Sequence, residues 1–142
     1  MTYDFDKAAV IEILNRVLEN EMAGVVRYTH YSFMVFGPNR LPLVDWLRQQ
    51  ASESLMHSQE AGELITLLDG HPSLKIGNLL ESHKHDTQTI LQEALEHEQA
   101  QVGLYRELLS AVQDKSVMIE EFARKLIAEE EQHVGEIKKM LV

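Results

Sequence analysis

Apolar residues recur at steps of three and four along most of the chain, the period of helices that each bury one face. No stretch alternates with period two for long enough to build a sheet. The pattern breaks at Phe36-Gly37-Pro38-Asn39-Arg40, at Asp69-Gly70-His71-Pro72 and at Gln113-Asp114-Lys115-Ser116. Pro42 suits the first turn of a helix, Gly70 a left-handed helix end, and Ser116 an N-cap. These signals predict four helices, over about residues 6–36, 42–69, 79–113 and 116–141. The first and third links are short and make their helices antiparallel neighbours. The link from Gly70 to Asn78 is longer and crosses the length of the bundle if the start of the third helix is extended or irregular. The expected architecture is all-α: a four-helix bundle of two antiparallel pairs joined by a long crossover, with residues 1–142 in a single domain.

Each predicted helix carries a core-facing line that is apolar at both ends and polar in the middle. The first helix gives Ile11, Leu14, Leu18, Glu21, Val25 and Tyr28, and the second Leu43, Leu47, Gln50, Ser54, His57, Ala61, Leu64 and Leu68. The third gives Leu91, Leu95, Glu98, Val102, Tyr105, Leu109 and Val112, and the fourth Ile119, Phe122, Leu126, Glu130, His133, Ile137 and Met140. An isolated buried carboxylate costs far more than a small domain can spare, yet three lines place a Glu at this depth and two a His. A shared pair of metal ions offsets that charge. Carboxylate and imidazole ligands suit iron, manganese, cobalt or zinc. Glu130 and His133, at i and i+3, reach the same side of one helical turn.

The two halves of the chain also echo each other. Glu19, Glu21, Ala23, Val25 and Tyr28 match Glu96, Glu98, Ala100, Val102 and Tyr105 at an offset of 77, and His57 and Glu60 match His133 and Glu136 at an offset of 76. An internal repeat of two helices each sets paired ligands about a pseudo-two-fold centre.

Charge and composition narrow the partners. The chain has 23 acidic and 13 Lys and Arg residues, a formal charge of −10, and no cysteine. The acidic balance argues against simple electrostatic binding to nucleic acid or an anionic membrane. The absence of cysteine excludes disulfides, thiolate metal ligands and cysteine catalysis. No apolar run reaches the length of a membrane span, and Met1-Thr2-Tyr3-Asp4-Phe5-Asp6 does not read as a secretion signal. A cytoplasmic protein is expected.

With these residues in place, the chain resembles the ferritin-like di-iron superfamily, and bacterioferritins and non-haem bacterial ferritins in particular. The resemblance runs over nearly all of the sequence, including Gly70-His71-Pro72-Ser73-Leu74. It implies a di-iron centre held by Glu21, His57, Glu98, Glu130 and His133, with Tyr28 beside it as a residue supporting the reaction. It also implies Fe(II) as the ion bound and oxidised, dioxygen or peroxide as oxidant, manganese or zinc as alternative metals, and a homo-oligomer of at least two chains. The second helix departs from the family pattern, with Ser54 where a Glu is expected three residues before His57. Glu53, at i and i+4 from His57, is the expected replacement ligand, with Glu60 on the next turn as the alternative. Leu55 stands where bacterioferritins carry their haem-ligating Met, and no fifth helix follows, so neither haem nor a 24-subunit cage is expected. Alternatives to iron oxidation for storage or detoxification are a rubrerythrin-like oxidase or peroxidase without storage, and a non-catalytic metal-binding bundle. Glu19, Glu96, Glu129 and Glu131 are expected on the surface and His97 exposed. Tyr105 is expected to be structural. His83 and His85 are expected in a polar loop, with surface metal binding as the alternative.

Overall fold

The computed structural model describes residues 3–79 and 81–142. Four helices make up the described secondary structure: α1 (Lys7–Met34), α2 (Arg40–Leu67), α3 (Thr87–Val112) and α4 (Val117–Met140). Three begin at side-chain caps. Asp6 accepts from the Ala9 amide, Asp86 from the Thr89 amide, and Ser116 from the Ile119 amide, each such cap contributing about 1 kcal/mol. Pro42 falls in the first turn of α2, where its missing N–H leaves no helical bond unmade.

Two boundaries differ from the sequence expectation. The turn after α2 is left-handed at Asp69 (φ 64°) rather than at Gly70, an Asp being one of the few residues with a side chain to tolerate that region. The third helix starts at Thr87, eight residues later than its periodicity suggested, because Asp86 supplies the cap and the segment before it is tied down elsewhere. The described residues 68–79 and 81–86 therefore belong to the crossover. It runs beside α1: Asn15 bonds the His71 carbonyl and the Ser73 amide, the Gly77 amide donates to the Glu19 carbonyl at 2.8 Å, and Arg27 donates to the Asn78 carbonyl.

The crossover sets the topology. The short links pair α1 with α2 and α3 with α4, and the crossover joins the two pairs, which meet chiefly through α1 and α3. The apolar core is split into two clusters. One contains Val10, Leu14, Val17, Ile65, Leu108, Val112, Ile119 and Leu126. The other, at the opposite end, contains Tyr28, Tyr31, Val35, Leu47, Ile90, Leu91 and Ile137. Between them lies a buried layer with Glu21, Gln50, Ser54, His57, His97, Glu98 and Glu130. Each end buries enough apolar surface to hold the helices together around a middle that costs stability. No described helix is long and apolar enough to cross a membrane.

Gly77 marks where the crossover comes closest to α1. A Cβ there would sit 3.1 Å from the Glu19 carbonyl oxygen and 3.2 Å from the Asn20 Cα, whereas one on Gly62 in α2 would meet nothing within 4 Å. In urea unfolding, Gly77→Val is expected to lose about 1–3 kcal/mol, and Gly62→Ala to gain about 0.4–1 kcal/mol. An unchanged midpoint for Gly77→Val would show that the crossover does not pack against α1.

Candidate metal centre

The four polar breaks converge. Glu21, His57 and Glu130 place one ligand atom each within 4.8 Å of one another, and so do Glu98, Glu130 and His133. Glu130 belongs to both groups. All but His133 are almost fully buried, and its side chain is 16% exposed.

The imidazoles are aimed. His57 turns Nδ1 inward, 2.8 Å from Glu21 Oε2 and 3.4 Å from Glu130 Oε1. His133 turns Nδ1 toward Glu130 Oε2, also at 3.4 Å. Yet His57 Nδ1, His133 Nδ1 and Glu130 Oε2 are buried without a hydrogen bond of acceptable geometry. Orphaned buried polar atoms are costly and rare, and here three converge on the two clusters. Two imidazole nitrogens and three carboxylates around two adjacent points fit a pair of borderline metal ions joined by a carboxylate.

The outer nitrogens are held by carboxylates. His57 Nε2 lies 2.9 Å from Glu129 Oε2, and His133 Nε2 lies 2.9 Å from Glu53 Oε2. Such outer carboxylates fix the ring orientation and tautomer of a metal-binding histidine and raise its basicity. Two tyrosines hold carboxylates in the same way: Tyr28 donates to Glu98, and Tyr105 to Glu21 at 3.0 Å.

These pairs cross between the halves of the chain. Glu53 and Glu129 are equivalent in the internal repeat, as are Tyr28 and Tyr105, and each supports a ligand of the opposite half. The symmetry fails at one place. The counterpart of Glu130 is Ser54, buried against Gly24 so closely that a Cβ on Gly24 would lie 2.7 Å from Ser54 Oγ and 3.0 Å from His97 Nε2. Glu130 is thus the single carboxylate shared by the two groups among the described residues. Glu53 does not enter either ligand group, and Glu60 turns away to Lys125, 3.7 Å distant.

With only protons to balance it, the layer is electrostatically strained. Burial opposes the His57 imidazolium, but Glu130 and Glu21 outweigh it and raise its pKa to about 10. Burial lifts Glu21 to about 7, against the pull of His57. Burial and the neighbouring Glu130 carboxylate push Glu98 well above the usual carboxylate range. Burial works against the Glu130 carboxylate too, but Glu98, His133 and His57 hold it well below that range. Burial and the Glu98 carboxylate keep the Tyr28 phenol protonated.

Glu129 was missed in the sequence because it lies beside the helical seam; its equivalence to Glu53 in the repeat was the available signal. His97, expected exposed, is 5% exposed. Burial and the nearby Arg27 charge lower its pKa to about 4, so it is neutral. It packs edge-on against Tyr28, with ring centroids 5.9 Å apart.

The ferritin-like domain model matches residues 11–142, and the chain belongs to that family. A ferritin-like, diiron-carboxylate protein from Bacillus anthracis superposes with a TM-score of 0.87 at 24% identity, covering 100% of both chains. Rhodobacter capsulatus bacterioferritin gives 0.82 at 24% identity, over 94% of this chain and 84% of that one. A dodecameric thioferritin from Bacteroides fragilis, related to bacterioferritin, gives 0.87 at 22% identity, over 96% and 86%. Comparison with curated protein sequences finds no match.

Glu53→Gln and Glu129→Gln each keep the side-chain size but weaken the carboxylate that orients a histidine. Each is expected to lower Zn2+ affinity about 10–100-fold in competition with a chromophoric chelator. Wild-type affinity in both variants would remove these residues from the centre.

Proposed function

We propose that the chain is a di-iron carboxylate protein that binds Fe(II) and oxidises it for iron storage or detoxification. The observation that carries this is the sharing of Glu130 between two ligand clusters in which three converging atoms, His57 Nδ1, His133 Nδ1 and Glu130 Oε2, make no well-aligned hydrogen bond. In this reading Glu21 and His57 complete one position, and Glu98 and His133 the other. Iron bound there supplies the redox chemistry, two ferrous ions together delivering the two electrons that take dioxygen to hydrogen peroxide or peroxide to water.

The chain's own groups do the rest. Carboxylates neutralise incoming cations in a site shielded by two apolar clusters, where Coulombic attraction is least screened. Glu53 and Glu129 keep both Nδ1 atoms facing inward. Tyr28, protonated, holds Glu98 by a hydrogen bond and so fixes which oxygen faces the centre. The protons carried by His57 and Glu98 leave as metal enters, since ligands bind in their deprotonated forms.

Storage requires an enclosed space, and hence assembly. Phe33, Phe36, Leu41, Leu55 and Met56 expose 43–82% of their surface on the lone chain, an apolar area suited to contacts between copies. The Bacteroides fragilis relative is described as a dodecamer, and a homo-oligomer is the expected state here. The remaining surface acids favour the approach of cations.

Rapid-mixing absorbance of Fe(II) oxidation in air tests the activity. The unaltered chain is expected to exceed the rate of iron in buffer, and Glu130→Ala and Glu98→Ala to fall to it while circular dichroism still reports a helical fold. Wild-type rates in both variants would place the reaction elsewhere. Light scattering on the native protein tests storage, because a dimer cannot enclose a mineral.

A further inference from the structure

The crossover and α1 together carry a second group of metal-ligating side chains, at the surface of the bundle. His30, on α1, sends Nε2 to within 2.9 Å of Glu81 Oε2. His85, at i+4 from Glu81, brings its own Nε2 to 3.3 Å from Glu81 Oε1. The three side chains are 44%, 31% and 25% exposed, and one ligand atom from each falls within 4.8 Å of the others. The imidazole centroids are 5.7 Å apart. The partner of His85 is thus His30, from another element, and not its sequence neighbour His83.

We propose that His30, Glu81 and His85 form a separate site for a divalent transition metal of the zinc and cobalt(II) type, which fastens the crossover to α1. Two imidazoles and a carboxylate leave a fourth position for water, a donor set these ions accept in tetrahedral geometry. Both Nε2 atoms already point at one carboxylate, so exchanging their protons for a metal needs little movement.

The framework is fixed on both sides. Arg27 donates to the Asn78 carbonyl just before Glu81. Just after it, Ser82 donates to Glu93, which also accepts from Tyr31. A cleft of about 220 Å³ bordered by Arg27, His30, Tyr31 and Glu81 opens beside two of the three ligands, leaving room for water. The site depends on no residue of the buried centre, so either can fail without the other.

Co2+ is the probe, its visible bands reporting four-coordinate binding. In the full chain carrying Glu130→Ala and His133→Ala, one Co2+ per chain is expected to remain, and adding His30→Ala and His85→Ala to abolish it. No uptake in the first variant, or uptake that survives in the second, overturns the proposal. A second measurement avoids the interior substitutions. In the otherwise unaltered chain, Zn2+ is expected to slow amide exchange over residues 81–86 severalfold, and His30→Ala with His85→Ala to remove that slowing. Absence of the effect, or its persistence in that variant, overturns the proposal equally.

Discussion

One carboxylate, Glu130, organises the middle of this bundle. It is buried, ionised and within reach of both histidines and of Glu98, so the positions of all four depend on what balances its charge. Protons do this imperfectly, leaving two Nδ1 atoms and a carboxylate oxygen close to opposite charge but without a well-aligned hydrogen bond. The apolar clusters above and below pack independently of that problem. They let the fold tolerate a layer whose chemistry is suited to cations rather than to stability, the usual relation between a rigid scaffold and the site it supports.

The support of the centre is distributed with the same logic as the ligands. Each histidine is steered by a glutamate from the other half of the chain, and Glu21 and Glu98 are each held by a tyrosine from the other half. The crossover makes this possible, since it carries the chain the full length of the bundle and lets the second pair of helices meet the first about a pseudo-two-fold. Its own contacts with α1, from Asn15 to His30, keep that long connection in one path.

The helices and the burial of Glu21, His57, Glu98 and Glu130 were legible because both follow from period. A residue three or four places from core leucines must face the core, whatever its polarity. Glu129 and His97 escaped because they sit beside the seams, where a small rotation of the helix decides between solvent and interior. The late start of α3 escaped for a different reason. Periodicity continues faintly through Leu79, while the chain's hydrogen bonds at Asn78 and Ser82 go to α1 and α3 side chains, which no local pattern encodes. Glu53 shows the limit of spacing arguments: i and i+4 from His57 allowed it to join that residue's cluster, but its carboxylate instead meets His133 across the bundle.

The break at Ser54 has a consequence for how such a centre can be asymmetric. If the two helical hairpins were separate identical chains meeting about a true two-fold, positions 54 and 130 would be a single residue, and both would be Glu or both Ser. Continuity of the backbone through the crossover lifts that constraint. One wall of the centre carries the shared anion while the other is left to a hydroxyl, a glycine and a neutral imidazole. The covalent link therefore does more than shorten the search for the folded state, because it gives the two faces of the centre separate addresses in one sequence.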